Sequence, residues 1–364
     1  MKSQILVGAE KFMRVLRERA LEAKDRLYIQ AMTFEGDAAG EELIDLMISS
    51  PAQDKRLIVD SFSKAVVSDH FVFGLKYLSD TSFKKEVKNT YKLIRKAESN
   101  GVKVKFVNPT GPLMLRYPLR NHKKMMIVDG EFTFLGGINF SDHNFSWHDM
   151  MIELEDQSIC HSIQKDFLYT WNGTNQSIKV DLDTHQLFFF NGVRSAGLYQ
   201  DFFEVIRSAQ SNITVVSPYV SEPLLSVLSE VAESGVEIEI ISPNENNKGL
   251  FHDYLLSQKN KGFFKLLHHP GMFHLKAMLV DDSKLVFGSS NYDLISYHFE
   301  QEVVMISEEE RLVNSFRDLV LTPMRNASIP YLATDVRAYK AKVIMKLLKG
   351  FCRIASSSIL KPKL

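Results

Sequence analysis

Cysteine is nearly missing from this chain. Cys160 and Cys352 lie far apart and show no metal-ligand spacing, which excludes a disulfide-stapled scaffold and points to a reducing compartment. Long apolar runs are missing too: no stretch approaches the roughly 18 consecutive residues of a membrane span. The opening MKSQILVGAEKF brings charged residues too early for a secretory leader. Nor is there a charge excess. The 44 Lys and Arg are matched by 44 Asp and Glu, so a protein that coats nucleic acid by charge alone is excluded, and a nucleic-acid partner is not expected. These absences leave a soluble or peripheral cytoplasmic protein.

What is present is a sizeable core and a repeat. The 364 residues are 45% hydrophobic, enough for about two domains of ordinary size. The stretch NHKKMMIVDGEFTFLGGIN, from Asn121, returns as FHLKAMLVDDSKLVFGSSN, ending at Asn291. His122 meets His274, Lys124 meets Lys276, Asp129 meets Asp281, Gly136 meets Gly288 and Asn139 meets Asn291, each at an offset of 152. A fixed period over this many polar positions marks an internal duplication. Upstream, AKDRLYIQAMTF from Ala23 pairs with AQSNITVVSPYV from Ala209, here at an offset of 186. A helical stretch and a further apolar strand follow each.

This alternation predicts an α/β protein of two similar lobes, each a mixed β-sheet flanked by helices. The lobes are expected at 1–171 and 185–325. The difference between the two offsets leaves 34 extra residues in the first lobe. They are assigned to an insertion near 63–96, either a lid or a helical decoration.

MMIVD and AMLVD read as strands, so His122 and Lys124 share a face, as do His274 and Lys276. Lys123, one residue out of phase, is expected in solvent. Two imidazoles, two ammoniums and two Asn amides suit a phosphodiester. Lysine and asparagine N–H groups stabilise the non-bridging oxygens, one imidazole attacks phosphorus and the other protonates the leaving oxygen. Protein cations supply the charge, so neither a metal nor a cofactor is expected. Asp149 and Glu302, 10 and 11 residues after Asn139 and Asn291, are candidate orienting partners for the histidines; which serves which is open. Asp129 and Asp281 are expected to cap strand ends and lock turns, and Gly136 and Gly288 to let the backbone approach phosphate.

The doubled His-x-Lys-x4-Asp with its Gly-x-x-Asn element resembles the phospholipase D superfamily over roughly Ile5 to Val320, and within it the bacterial cardiolipin synthases. The resemblance implies two lobes with one shared site at their interface, His122 as nucleophile forming a phosphatidyl-histidine, and His274 as acid and then base. It implies that Lys124, Lys276, Asn139 and Asn291 hold phosphate, and that a phosphatidyl group moves to phosphatidylglycerol or another alcohol. Hydrolysis to phosphatidic acid, as in phospholipase D proper, and phosphodiesterase action on nucleic acid are the alternatives. Two positions depart from the pattern. Gly137 stands where the second copy has Ser289, leaving Ser289 alone to assist phosphate binding, and His148 stands where relatives carry Arg.

A lipid substrate requires a bilayer. Residues 334–364 form a basic amphipathic tail with eight Lys and Arg and one Asp. On a helical wheel Val336, Val343, Ile344, Leu347, Leu348, Phe351 and Ile354 oppose Lys342, Lys346, Lys349 and Arg353, while Lys340 breaks the pattern by landing on the apolar side. Such a helix lies on an anionic surface, here the inner membrane face, or docks on the protein's own core.

Overall fold

The computed structural model describes residues 2–332 and 338–359. The chain divides into two compact units, Met1–Gln176 and Ser177–Leu364. In unit 1, β1 (Lys2–Val7), α1 (Ala9–Glu22), β2 (Arg26–Ala31), α2 (Ala38–Ser49) and β3 (Asp54–Asp60) come first. They are followed by the short β4 (Val66–Val67) and β5 (His70–Phe71), then α3 (Leu75–Ser79), α4 (Thr81–Ser99) and β6 (Val102–Val107). β7 (Met125–Val128), β8 (Phe132–Gly136), α5 (Asp142–Phe145), β9 (Met150–Glu155) and α6 (Gln157–Asn172) close it.

Unit 2 opens with β10 (Ile178–Leu182), β11 (His185–Asn191), α7 (Ala196–Arg207), β12 (Asn212–Val216), α8 (Leu224–Glu233) and β13 (Glu237–Pro243). Next come α9 (Gly249–Lys259), β14 (Lys265–His269), β15 (Ala277–Val280), β16 (Lys284–Gly288), α10 (Leu294–Phe299) and β17 (Gln301–Ser307). It ends with α11 (Glu310–Phe316), α12 (Thr322–Ala327), β18 (Ile329–Pro330) and α13 (Ala338–Ile354).

The duplication is visible in strand order. Unit 1 runs β1-β9-β8-β7-β2-β3-β6; unit 2 repeats that order as β11-β17-β16-β15-β12-β13-β14, with β10 and β18 added at the two edges. In each sheet three strands are parallel (β2-β3-β6, β12-β13-β14) and the others antiparallel. Both faces of the central strands are covered, so MMIV and AMLV are buried throughout rather than alternating. In unit 1, Phe12, Leu16, Leu43 and Met47 from α1 and α2 pack with Ile29, Met126 and Phe134 from the sheet.

Register decides where the motifs stand. β7 runs antiparallel to β2 with Gln30 opposite Met125, and β15 antiparallel to β12 with Val216 opposite Ala277. The residues just before β7 and β15 therefore lie at the carboxyl ends of the parallel strands, where open α/β sheets place their ligands.

The extra length of the first half is not confined to 63–96. Between β3 and β6 unit 1 has 41 residues (61–101) against 21 (244–264) in unit 2; before β7 it has 17 (108–124) against 7 (270–276). The expected insertion is thus one of two. The second, NPTGPLMLRYPLR, carries only turn signals, and none of its residues recurs at a fixed offset from which an excess could be measured in sequence.

Candidate active site

In each unit the lysine is fastened to the histidine before it. Lys124 Nζ donates to the His122 carbonyl at 2.6 Å, and Lys276 Nζ to the His274 carbonyl at 2.5 Å. All four residues are buried. A buried ammonium needs acceptors close by, and the i to i−2 bond supplies one while fixing the lysine before any substrate arrives. In unit 1 the chain ahead of His122 is equally constrained. The Asp60 carboxylate accepts from Arg120 and from the Asn121 N–H, and Gln30 Nε2 donates to Asn121 Oδ1 at 2.7 Å. In unit 2 the His274 ring meets the Tyr219 ring edge-on with centroids 6.1 Å apart, and Lys248 Nζ lies 4.2 Å from the Tyr219 ring centre.

Asn139 and Asn291 follow the paired strands of their units. Asn139 Oδ1 accepts from the Thr33 N–H at 3.2 Å. Asn291 Oδ1 is buried with no hydrogen-bond partner among the described residues.

The carboxylates Asp149 and Glu302 occupy equivalent places. Gly137 N–H donates to the Met150 carbonyl and Ser289 N–H to the Val303 carbonyl, which sets Asp149 and Glu302 in the same register behind their motifs. Their surroundings differ. Ser289 Oγ donates to Glu302, and Ser296 Oγ does so at 3.0 Å. At Gly137 a Cβ would stand 2.5 and 2.6 Å from the two Asp149 oxygens. The missing side chain is what lets the shorter carboxylate into that space. The hydroxyl of Ser289 donates to Glu302 and accepts from the Val303 N–H, so in this structure it is tied to the carboxylate.

Two other expectations resolve clearly. Asp129 accepts from the N–H groups of Lys24, Asp25 and Arg26, and Asp281 from those of Gln210, Ser211 and Asn212. Each sits in the left-handed region, φ 53° and 51°, at the far end of its strand from the histidine, on the order of 13 Å along four residues. They anchor turns, as expected. Burial pushes both carboxyls up, but the backbone N–H donors outweigh it and hold them below the usual aspartate value. Gly136 and Gly288, by contrast, are required by the neighbouring strand. A Cβ there would lie 2.3 Å from the Met150 carbonyl and 2.2 Å from that of Val303, so packing, not an approach to phosphate, fixes these glycines.

Lys123 is the plain correction. It is 1% exposed, with Nζ 2.7 and 2.6 Å from the two oxygens of Asp166 on α6. Facing away from His122 means facing a helix, because this sheet has no solvent face near β7. His148 is half-buried and lines a cleft with Gly8, Ala9 and Arg14.

The C-terminal helix was expected to have two faces and has three. Ala341, Met345, Cys352 and Ala355 are buried where α13 packs on α9 and α10. Lys342, Lys346 and Arg353 form a basic side, and Tyr339, Leu347, Phe351 and Ile354 stand exposed. Docking on the core therefore leaves the apolar stripe in solvent. Residues 334–337 and 360–364 of the expected tail, Val336 among them, lie outside the described residues. Among the described residues no helix is long and apolar enough to cross a membrane.

Residues 16–171 and 202–320 match the family described as cardiolipin synthase, PLD-like domain. The major cardiolipin synthase ClsA of Bacillus subtilis (strain 168) is 23% identical over 358 residues, covering 89% of this chain and 70% of the relative. A cardiolipin synthase of Clostridium perfringens (strain SM101 / Type A) is 24% identical, covering 79% and 63%; one of Listeria welshimeri is 22% identical, covering 96% and 73%. The chain thus spans 63% to 73% of the length of these relatives. Among solved structures, a phosphatidylserine synthase of Haemophilus influenzae Rd KW20 shares the fold with a TM-score of 0.69 at 16% identity, over 99% of this chain and 94% of that one. A polyphosphate kinase from Porphyromonas gingivalis does so with a TM-score of 0.60 at 13% identity, over 97% and 53%.

Proposed function

Because this chain belongs to the family of cardiolipin synthase, phospholipase D-like domains, we propose that it is a phosphatidyltransferase that moves the phosphatidyl group of one phospholipid onto the alcohol of another. The relatives' names make cardiolipin the product to expect, with phosphatidylglycerol as donor and acceptor. The observation that carries the reading is the twice-built unit of buried histidine, lysine fastened to its carbonyl, and carboxylate in register behind. A phosphodiester needs both a nucleophile and an acid, and the chain has one complete unit for each.

In this reading a ring nitrogen of His122 attacks phosphorus. A P–N bond forms, the P–O bond to the head-group alcohol breaks, and His274 gives its proton to the departing oxygen. His274 then takes the proton of the incoming hydroxyl, whose oxygen displaces His122 and restores the P–O bond. Lys124, Lys276, Asn139 and Asn291 hold the charged oxygens. Asp149, and Glu302 steadied by Ser289, orient the rings. The exposed stripe of α13, beside Lys342, Lys346 and Arg353, lies on the lipid surface that supplies substrate; deleting 334–364 should then leave a protein that sediments poorly with anionic vesicles.

The test is product identification. Purified protein with phosphatidylglycerol vesicles should yield cardiolipin and glycerol. Phosphatidic acid as the only lipid product would replace transfer by hydrolysis. His122→Ala and His274→Ala should each abolish turnover, and full activity in either would overturn the mechanism.

A further inference from the structure

The two insertions of unit 1 converge on one another. Phe71 of β5 stacks on Phe73 with ring centroids 5.3 Å apart, and lies 5.7 Å from Tyr117 of the second insertion. Tyr117 in turn meets Phe62 at 5.9 Å. Beneath the hairpin a small core of Val67, Phe83 and Val87, with Val72 and Tyr77, fixes the first insertion from below. The side turned away from that core is apolar. Phe71 is 42% exposed, Phe73 63%, Leu75 84%, Leu113 92% and Leu115 66%.

Backbone geometry presents these side chains on tight tips. Ser68 and Asp69, both with positive φ (47° and 59°), turn β4 into β5, as a two-residue hairpin requires. Leu113 and Met114 also have positive φ, 49° and 55°, a costly conformation for residues with a Cβ. A loop that holds a leucine there and leaves it in water gains nothing from folding alone.

Charge decides the occupant. The whole chain is balanced, yet residues 61–96 carry eight Lys and Arg against three Asp and Glu, and 108–120 carry two Arg and no acid. Aromatic and leucine tips on a positively charged base match an anionic lipid–water interface, where rings sit at head-group depth and cations meet lipid phosphates. We propose that the paired tips 71–75 and 113–116 insert into the surface of an anionic phospholipid bilayer. This is a second lipid contact, separate in the chain from α13. The 108–120 loop runs directly into Asn121 and His122, with Arg120 held by Asp60, so seating it would set the level of the first motif relative to the lipid. The inference does not depend on which head group is transferred.

Cys160 and Cys352 are both buried, with thiols pushed up by burial to about 12 and about 11, so an introduced surface cysteine can be labelled selectively. The full chain carrying Leu113→Cys with an environment-sensitive fluorophore is mixed with vesicles of phosphatidylcholine and phosphatidic acid. The latter supplies charge without a head-group alcohol to release, which separates binding from turnover. The emission should shift to the blue with these vesicles and little with phosphatidylcholine alone, while a label at Asn100→Cys stays unchanged. Phe71→Ser with Phe73→Ser should weaken vesicle partition about ten-fold or more without changing the melting curve. A label at 113 that stays in water while the protein sediments would overturn the proposal. So would a blue shift that follows protein concentration without vesicles, since the patch would then be covered by a second copy.

Discussion

Lys123 and Asp166 form a closed ion pair inside unit 1, with the ammonium 2.7 and 2.6 Å from the two carboxylate oxygens and both side chains buried. Removing one partner strands the other. Asp166→Ala should therefore cost about 3–5 kcal/mol, read as a lower urea midpoint. Lys123→Met with Asp166→Leu should recover most of it, because an apolar pair carries no desolvation cost.

Gly137 sets a steric condition on its carboxylate. Gly137→Ala would drive a methyl group into the Asp149 oxygens and should lower turnover about ten-fold or more while leaving lipid binding nearly intact. Ser289→Ala removes a hydroxyl donor to Glu302 but leaves that of Ser296 in place, and should cost less. Steady-state kinetics would separate the two; equal effects would contradict the geometry.

Asp129 and Asp281 are expected to matter for stability and not for chemistry. Asp129→Asn or Asp281→Asn should lower stability by about 1 kcal/mol, the usual net worth of a hydrogen bond, and leave kcat unchanged. Since the folded carboxyls are held below the ordinary value near 3.9, their contribution is complete above that pH and is lost as pH falls through the lowered folded value. The difference in Tm between wild type and variant should therefore shrink towards acid pH.

His268 gives unit 2 an acid-side weakness. Burial first, then His252 and Lys259, push its imidazole down to about 4. Between the ordinary value near 6.5 and about 4 the unfolded chain binds the proton and the folded one does not, so stability falls as pH drops through that window. Tm measured across it should decline less steeply in His268→Gln.

The polar part of the site was legible because His122, Lys124, Asn139 and their partners recur at one offset, and Asp129 could be recognised as a turn anchor from its place at a strand end. Lys123 was not legible. Its partner lies 43 residues on in α6, and nothing in a strand's alternation says whether its other face meets water or a helix. The second insertion escaped notice because a turn-rich loop has no periodicity from which to measure an excess. The third face of α13 escaped because Ala341, Met345 and Cys352 are spread between the apolar and basic stripes, and a helical wheel does not show that α9 and α10 cover them.

Gly137 and Ser289 have a consequence for the history and engineering of the chain. Two identical halves could trade segments freely. Here a transplant of GSSN into the first half would bring a hydroxymethyl group against Asp149, and a transplant of GGIN into the second would strip Glu302 of a donor. The halves have ceased to be spare parts for one another, so a chain whose first half carries GSSN in place of GGIN should fold with its strand order intact and still be a poor enzyme.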